Sequence, residues 1–143
     1  MSETNIKLVK NTYAAFAKGD IATVLGTMAP DATIGIVGRK EDAPFFGIHS
    51  GPAGVGEFFR LLDEAHEIHT FEPLRFLAAE DKVFIWGHYH WTMRTSGVSK
   101  DTEWLHVITL RDGMVVSWRG HNDTAMLAAA YHAAPAVKRA ANG

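Results

Sequence analysis

His106 lies in the run Trp104-Leu-His106-Val-Ile108, where apolar and aromatic residues surround a single titratable group. Alternation along a strand puts Trp104, His106 and Ile108 on one face, and an apolar face disfavours the charged imidazolium. A neutral imidazole there can accept a proton as a general base or donate a hydrogen bond near pH 7. The competing reading is a core histidine bonded to a carbonyl or a tyrosine hydroxyl. His88 and His90 form a second arrangement with chemical content, because i and i+2 share a strand face. A metal needs a further ligand, and His121 is the nearest by type. Its place beside Glu103 and Arg94 keeps it away from the pair, so no metal site is expected. The carboxylate pairs Asp63-Glu64 and Glu80-Asp81 flank a helix end and a turn, where water solvates them. His49, His66, His69 and His132 fall in turns or helix ends, where a partial positive charge is welcome, and read as surface residues.

The chain of 143 residues suits one domain, 1–143, that buries roughly two-thirds of its unfolded surface. A net charge of −2 without any basic run argues against nucleic acid as a partner. The absence of cysteine excludes disulfides, thiolate catalysis and Cys-ligated zinc. The opening Met-Ser-Glu-Thr-Asn lacks a basic segment leading into an apolar one. No apolar run approaches the ~20 residues of a membrane span. A cytoplasmic protein without membrane partner or cofactor is expected.

The candidate residues need elements to position them. Ile6, Val9, Tyr13 and Phe16 recur at helical spacing and give a first helix one buried stripe. Gly19 can close it in a left-handed C-cap, and Asp20 can cap a short second helix over 21–28. Pro30 blocks further helix, and Asp31 suits a turn before a β-branched strand at 33–37. Residues 38–47 read as a loop carrying Phe45 and Phe46. Ser50 as N-cap and Pro52 in the first turn begin a helix to about Ala65, with Val55, Phe58, Phe59 and Leu62 inside. The period then changes to that of strands. One spans 68–77, interrupted by Pro73 and hence an edge or a bulge. Others span 82–94 and, after a polar loop at 95–101, 103–110. Asp112-Gly113 marks a tight hairpin into a last strand at 114–122. Asp123 or Thr124 can cap an Ala-rich closing helix that stops before Pro135. The tail at 137–143 is expected to fray. Helices first and long antiparallel strands last argue an α+β fold, a curved sheet wrapped around about three helices.

The opening Tyr13-Ala-Ala-Phe-Ala-Lys-Gly19-Asp20, its short second helix and Ala29-Pro-Asp31-Ala-Thr33 resemble the start of NTF2-like cone-shaped domains. The likeness is to the SnoaL-like and ketosteroid-isomerase-like branch and extends over nearly the whole chain. It implies an antiparallel-rich sheet around a small-molecule pocket. A three-residue hairpin loop with Gly113 as a bulge would set His106 opposite Trp118 and join two aromatic-rich faces; a strict two-residue loop would break that pairing. The family's cavity strands fit the bulged register. The concave face then presents Tyr89, Trp91, Trp104, His106, Trp118 and Asn122, roofed by Tyr13, Phe16, Phe58, Phe59 and Leu62. Gly120, opposite Trp104 in this register, would leave room for a ligand. The outer face, with Phe84, Trp86, His88, His90, Val107 and Val115, is too apolar for open water, and the resemblance implies a homodimer through it.

The resemblance places His106 where isomerase relatives carry a pocket Asp and SnoaL-like cyclases a His. It also brings departures. SnoaL-like cyclases and limonene epoxide hydrolases carry a catalytic Asp in a Trp-x-Asp setting, whereas Trp118-Arg119 is followed here by Gly120. The isomerase base on the first strand falls at about Ile36, and Tyr13 is only an approximate match to the isomerase helix Tyr. The implied function is acid/base chemistry without metal on an apolar carbonyl, polyketide or terpenoid-like compound. In it His106 is catalytic, and Tyr13, Phe58, Phe59, Tyr89, Trp91, Trp104, Trp118, Gly120 and Asn122 hold the ligand. The alternative is a non-catalytic ligand-binding or accessory dimerisation domain.

Overall fold

The computed structural model describes residues 2–135; the tail expected to fray lies outside them. Helix α1 (Ser2–Ala17) is closed by Gly19 at a φ of 73°, a conformation that only glycine adopts without strain. Asp20 then caps α2 (Ile21–Gly26) by accepting from the Thr23 amide at 3.1 Å. Strand β1 (Met28–Ile36) starts before Pro30, earlier than the β-branched run suggests, with a register break between Met28 and Thr33.

The segment at 38–47 buries Phe45 and Phe46 completely and leads into a strand that the pattern did not reveal, β2 (Gly47–Ser50). Ser50 pairs with Thr33 in that strand. Its side chain makes no capping bond to α3 (Gly51–Ala65), whose first turn does hold Pro52. Strands β3 (His66–Ala79), β4 (Lys82–Met93), β5 (Ser99–Arg111) and β6 (Met114–Asn122) follow as consecutive antiparallel neighbours. β5 begins inside the stretch expected as a polar loop. Asp123 caps the closing helix α4 (Thr124–His132) through the Met126 amide.

The six strands form one mixed sheet in the order β2-β1-β6-β5-β4-β3, with β1 parallel to β6. β3 is an edge, where a proline such as Pro73 is tolerated, and register shifts between Ile68 and Thr70 and between Pro73 and Arg75 interrupt its ladder. The described residues form an α+β fold with four helices, α2 being one short turn-and-a-half, against a curved, unclosed sheet. None of the described helices is long and apolar enough to cross a membrane.

The β5–β6 hairpin corrects the expected register. Asp112 and Gly113 take φ values of 53° and 76°, and Arg111 pairs with Met114 across a two-residue turn. The extra residue enters farther along: Thr109 pairs with Ser117 and Leu110 with Val115, leaving Val116 as the bulge. His106 therefore faces Gly120, and Trp118 faces Ile108. Because the bulge restores parity, His106 still shares a face with Trp118 and Asn122. Val115 lies before the bulge and points inward, fully buried, rather than onto the outer face.

Gly87 stands opposite Trp104. A Cβ on it would approach Trp104 Cζ2 to 2.5 Å, so the indole occupies the space a side chain would need. Gly87→Ala is expected to destabilise the fold by about 1–3 kcal/mol through overpacking, measured as a lower urea midpoint at unchanged slope.

Candidate functional site

Helices α1 and α3 lie against the inner sheet face and leave a cavity of about 60 Å³, measured to the centres of water-sized molecules and larger by an atom's radius all round. Tyr13 and Phe16 come from α1, Val24 from α2, and Phe58, Phe59 and Leu62 from α3. The sheet adds Ile34, Gly35 and Ile36 of β1, His66, Ile68 and Phe71 of β3, and Tyr89 of β4. His106 of β5 and Trp118, Gly120 and Asn122 of β6 complete the wall. None of these is Asp, Glu, Lys or Arg, so the wall carries no permanent charge.

His106 is held at one nitrogen by two partners. The Tyr13 hydroxyl lies 2.6 Å from Nδ1, and Trp118 Nε1 donates to the same atom at 3.1 Å. An indole N–H only donates, so Nδ1 carries the lone pair, the Tyr13 hydroxyl also donates to it, and the ring proton sits on Nε2. Trp104 stacks on the imidazole at 4.1 Å between centroids, with Tyr13 near-parallel at 5.8 Å. Burial, reinforced by the charge of His121, pushes the His106 pKa down to about 3. Burial likewise raises the Tyr13 phenol well above its ordinary value. Both groups are neutral at pH 7. His106 remains only half-buried because it borders the cavity, and Nε2 is not among the sealed-off, unpartnered atoms.

His66 corrects its reading as a surface residue. It is 1% exposed and directs Nδ1–H to the Leu62 carbonyl at 2.8 Å. A carbonyl only accepts, so Nε2 holds the lone pair and takes the Tyr89 hydroxyl at 3.2 Å. Burial lowers its pKa, opposed by the bond to Leu62. Its position at the end of α3 suggested exposure, yet the same position opens β3. The His66–Ile68 alternation was the available signal for its inward face. His49 is also buried, against Phe58 at 5.7 Å, and burial lowers its pKa.

Of the residues singled out from the sequence, Tyr13, Phe58, Phe59, Tyr89, His106, Trp118, Gly120 and Asn122 line this one cavity. Trp91 and Trp104 do not. Trp91 is fully buried with Nε1 donating to Thr102 at 2.9 Å, and Trp104 lies behind the His106 ring. Phe71 escaped notice because the irregularity between Ile68 and Thr70 changes which parity of β3 faces inward. Away from the cavity, His88 stands 3.6 Å from Glu72 and 3.4 Å from Asp101, and His90 bonds Ser99. His121 pairs with Leu105. Among the described residues no three His, Asp or Glu converge as a metal would require.

The same architecture occurs in solved structures. An NTF2-like protein of unknown function from Burkholderia pseudomallei K96243 is 25% identical, with a TM-score of 0.84 over 93% of this chain and 100% of that one. An NTF2-like protein from Burkholderia xenovorans LB400 is 29% identical, with a TM-score of 0.82 over 92% and 98% of the two chains. TerC, co-crystallised with polyporic acid, shares the fold at 23% identity, a TM-score of 0.81 and coverage of 91% and 99%. No curated protein matches the chain. The SnoaL-like domain family matches residues 9–118, well over half of the sequence, with the inward-facing His106 inside that span; the chain belongs to the SnoaL-like family.

Proposed function

We propose that the protein is an acid/base enzyme acting on a small apolar carbonyl compound, polyketide or terpenoid-like, bound in the cavity. The observation that carries this reading is the Tyr13–His106–Trp118 cluster. Two donors fix the imidazole in one tautomer and leave Nε2–H at the cavity wall. A neutral imidazole N–H polarises a carbonyl and stabilises an enolate forming beside it, most strongly where water is excluded. Proton removal from the neighbouring carbon needs a lone pair. Nε2 of His66, behind the Tyr89 hydroxyl, supplies it through that hydroxyl. The uncharged wall favours a neutral substrate, since an ion would lose its hydration without compensation.

The test is proton–deuterium exchange at the α-carbon of 1-tetralone, followed by NMR in deuterated buffer. Exchange above background that is lost in His106→Ala is the expected result. Tetralone that binds without exchange would instead identify a ligand-binding domain, and tetralone that neither binds nor exchanges would favour an accessory domain.

The outer sheet face supports a second proposal, a homodimer. Trp86 and Leu105 are each 40% exposed there and neighbour one another across β4 and β5, with Phe84 and Val107 half-buried beside them. Trp86→Glu or Val107→Arg should give monomer in sedimentation, because an unpaired charge buried in an interface costs several kcal/mol. A wild type already monomeric at micromolar concentration would refute the dimer.

A further inference from the structure

The cavity wall is buried at its depth and half-buried along one side. Ile34 and Tyr89 are 2% and 3% exposed. Phe16 of α1, Phe59 of α3, and Ile68 and Phe71 of β3 are half-buried, with exposed chain neighbours at Ala17, Arg60, Glu67 and His69. Helix α1 packs on β3 and α3 on β1, and the two helices share little direct contact. A line of rings crosses the gap between them. Phe71 lies flat on Trp104 at 4.6 Å between centroids, which pins it to the sheet. Phe16 meets Phe71 edge-on at 5.4 Å, and Phe59 leans on Phe16 at 5.6 Å. Ile68 and Phe71 both face inward, three residues apart, because His69 is the extra residue of the β3 irregularity.

Phe59 is the ring with space to move into. A helical side chain leans back over the turn before it, and Gly56 stands there, three residues earlier. A Cβ built on Gly56 would meet nothing within 4 Å. Phe59 turned over Gly56 gives up its pairing with Phe16 and leaves a slot between the helices. That slot has the shape of the ring that vacated it, about one carbon–carbon contact thick, roughly 3.5–4 Å. A flat ring passes such a slot, and a puckered one does not.

Resting on the cavity reading above but not on its exchange chemistry, we infer that ligands enter between α1 and α3 and that Phe59 determines which do, selecting planar aromatic compounds. The chain has no cysteine, so one introduced thiol reports on entry. Ile34→Cys places it on the cavity wall, and Val83→Cys places it in the fully buried sheet core outside the cavity. Modification by benzyl and cyclohexylmethyl methanethiosulfonate, which differ in a flat against a puckered ring, is followed by mass spectrometry. Each rate is divided by that of the urea-unfolded chain.

In Ile34→Cys the benzyl reagent is expected to react about two- to tenfold faster than the cyclohexylmethyl one. Adding Phe59→Ala should speed the slower reagent by about two- to tenfold, the worth of one aromatic pair, and erase the difference. Gly56→Leu, which fills the space Phe59 turns into, should slow both reagents. Val83→Cys should keep its rate in every background. Unchanged Ile34→Cys rates in Phe59→Ala would place the entrance elsewhere and overturn the inference. Equal acceleration of Val83→Cys would mean general loosening, and equal rates of the two reagents without Phe59→Ala would mean no selection for flat rings; either overturns it as well. The labelling uses neither His106 nor a ketone, so a failed tetralone exchange leaves its outcome standing.

Discussion

His106→Ala is expected to lower kcat for α-proton exchange by about a hundredfold to a thousandfold, the usual cost of losing one donor to a developing oxyanion. The loss should fall mainly on kcat, because the Nε2–H bond strengthens as charge builds on the carbonyl oxygen. A purely binding role would instead weaken affinity by about 0.5–1.5 kcal/mol with no catalytic term. Tyr13→Phe should cost less than His106→Ala. Trp118 still donates to Nδ1 at 3.1 Å and keeps the proton on Nε2. The two variants together separate the group that meets the substrate from the one that holds its tautomer. An unchanged kcat in His106→Ala, with the fold verified by circular dichroism, would remove His106 from the mechanism.

Acid should destabilise the protein well above the pH at which its carboxylates titrate. His106 takes up a proton near its ordinary value of 6.5 when unfolded but only near about 3 when folded. Between those values the unfolded chain binds more protons, so stability rises with pH. The contribution is complete above pH 6.5 and is lost progressively as pH falls toward 3. It amounts to several kcal/mol, at roughly 1.4 kcal/mol per pH unit of displacement. His66 and His49, whose pKa values are also lowered chiefly by burial, act in the same direction. Urea denaturation between pH 7.5 and 4.5 should show this slope, and His106→Gln, which cannot titrate, should flatten it. A stability that stays level over that range would contradict the burial of a neutral imidazole.

Where chain geometry is local, the residues themselves specified it. Gly19 and Asp20 close one helix and cap the next because glycine tolerates the left-handed region and an aspartate oxygen reaches the free amide. Asp112-Gly113 makes the hairpin for the same reason, both residues taking positive φ. Alternation put Trp104, His106 and Ile108 on one face, and the start of the chain pointed to the family. The register across β5 and β6 was not local. It depends on where the extra residue is taken up, and pairing along the whole ladder placed it at Val116 instead of in the turn, moving His106 from Trp118 to Gly120.

The polar side of the site was a tertiary matter altogether. Tyr13 and His106 are ninety-three residues apart in the chain, and nothing in either segment's pattern requires their contact. His66 looked solvated because it ends a helix, but Phe45 of the buried Phe45–Phe46 segment stacks on the ring at 5.1 Å. Desolvation, tautomer and unmet hydrogen bonds are properties of what surrounds a group in space. The sequence by itself determined that Trp104, His106 and Ile108 share a face, because alternation is local; only packing between distant segments decided which nitrogen of His106 carries its proton.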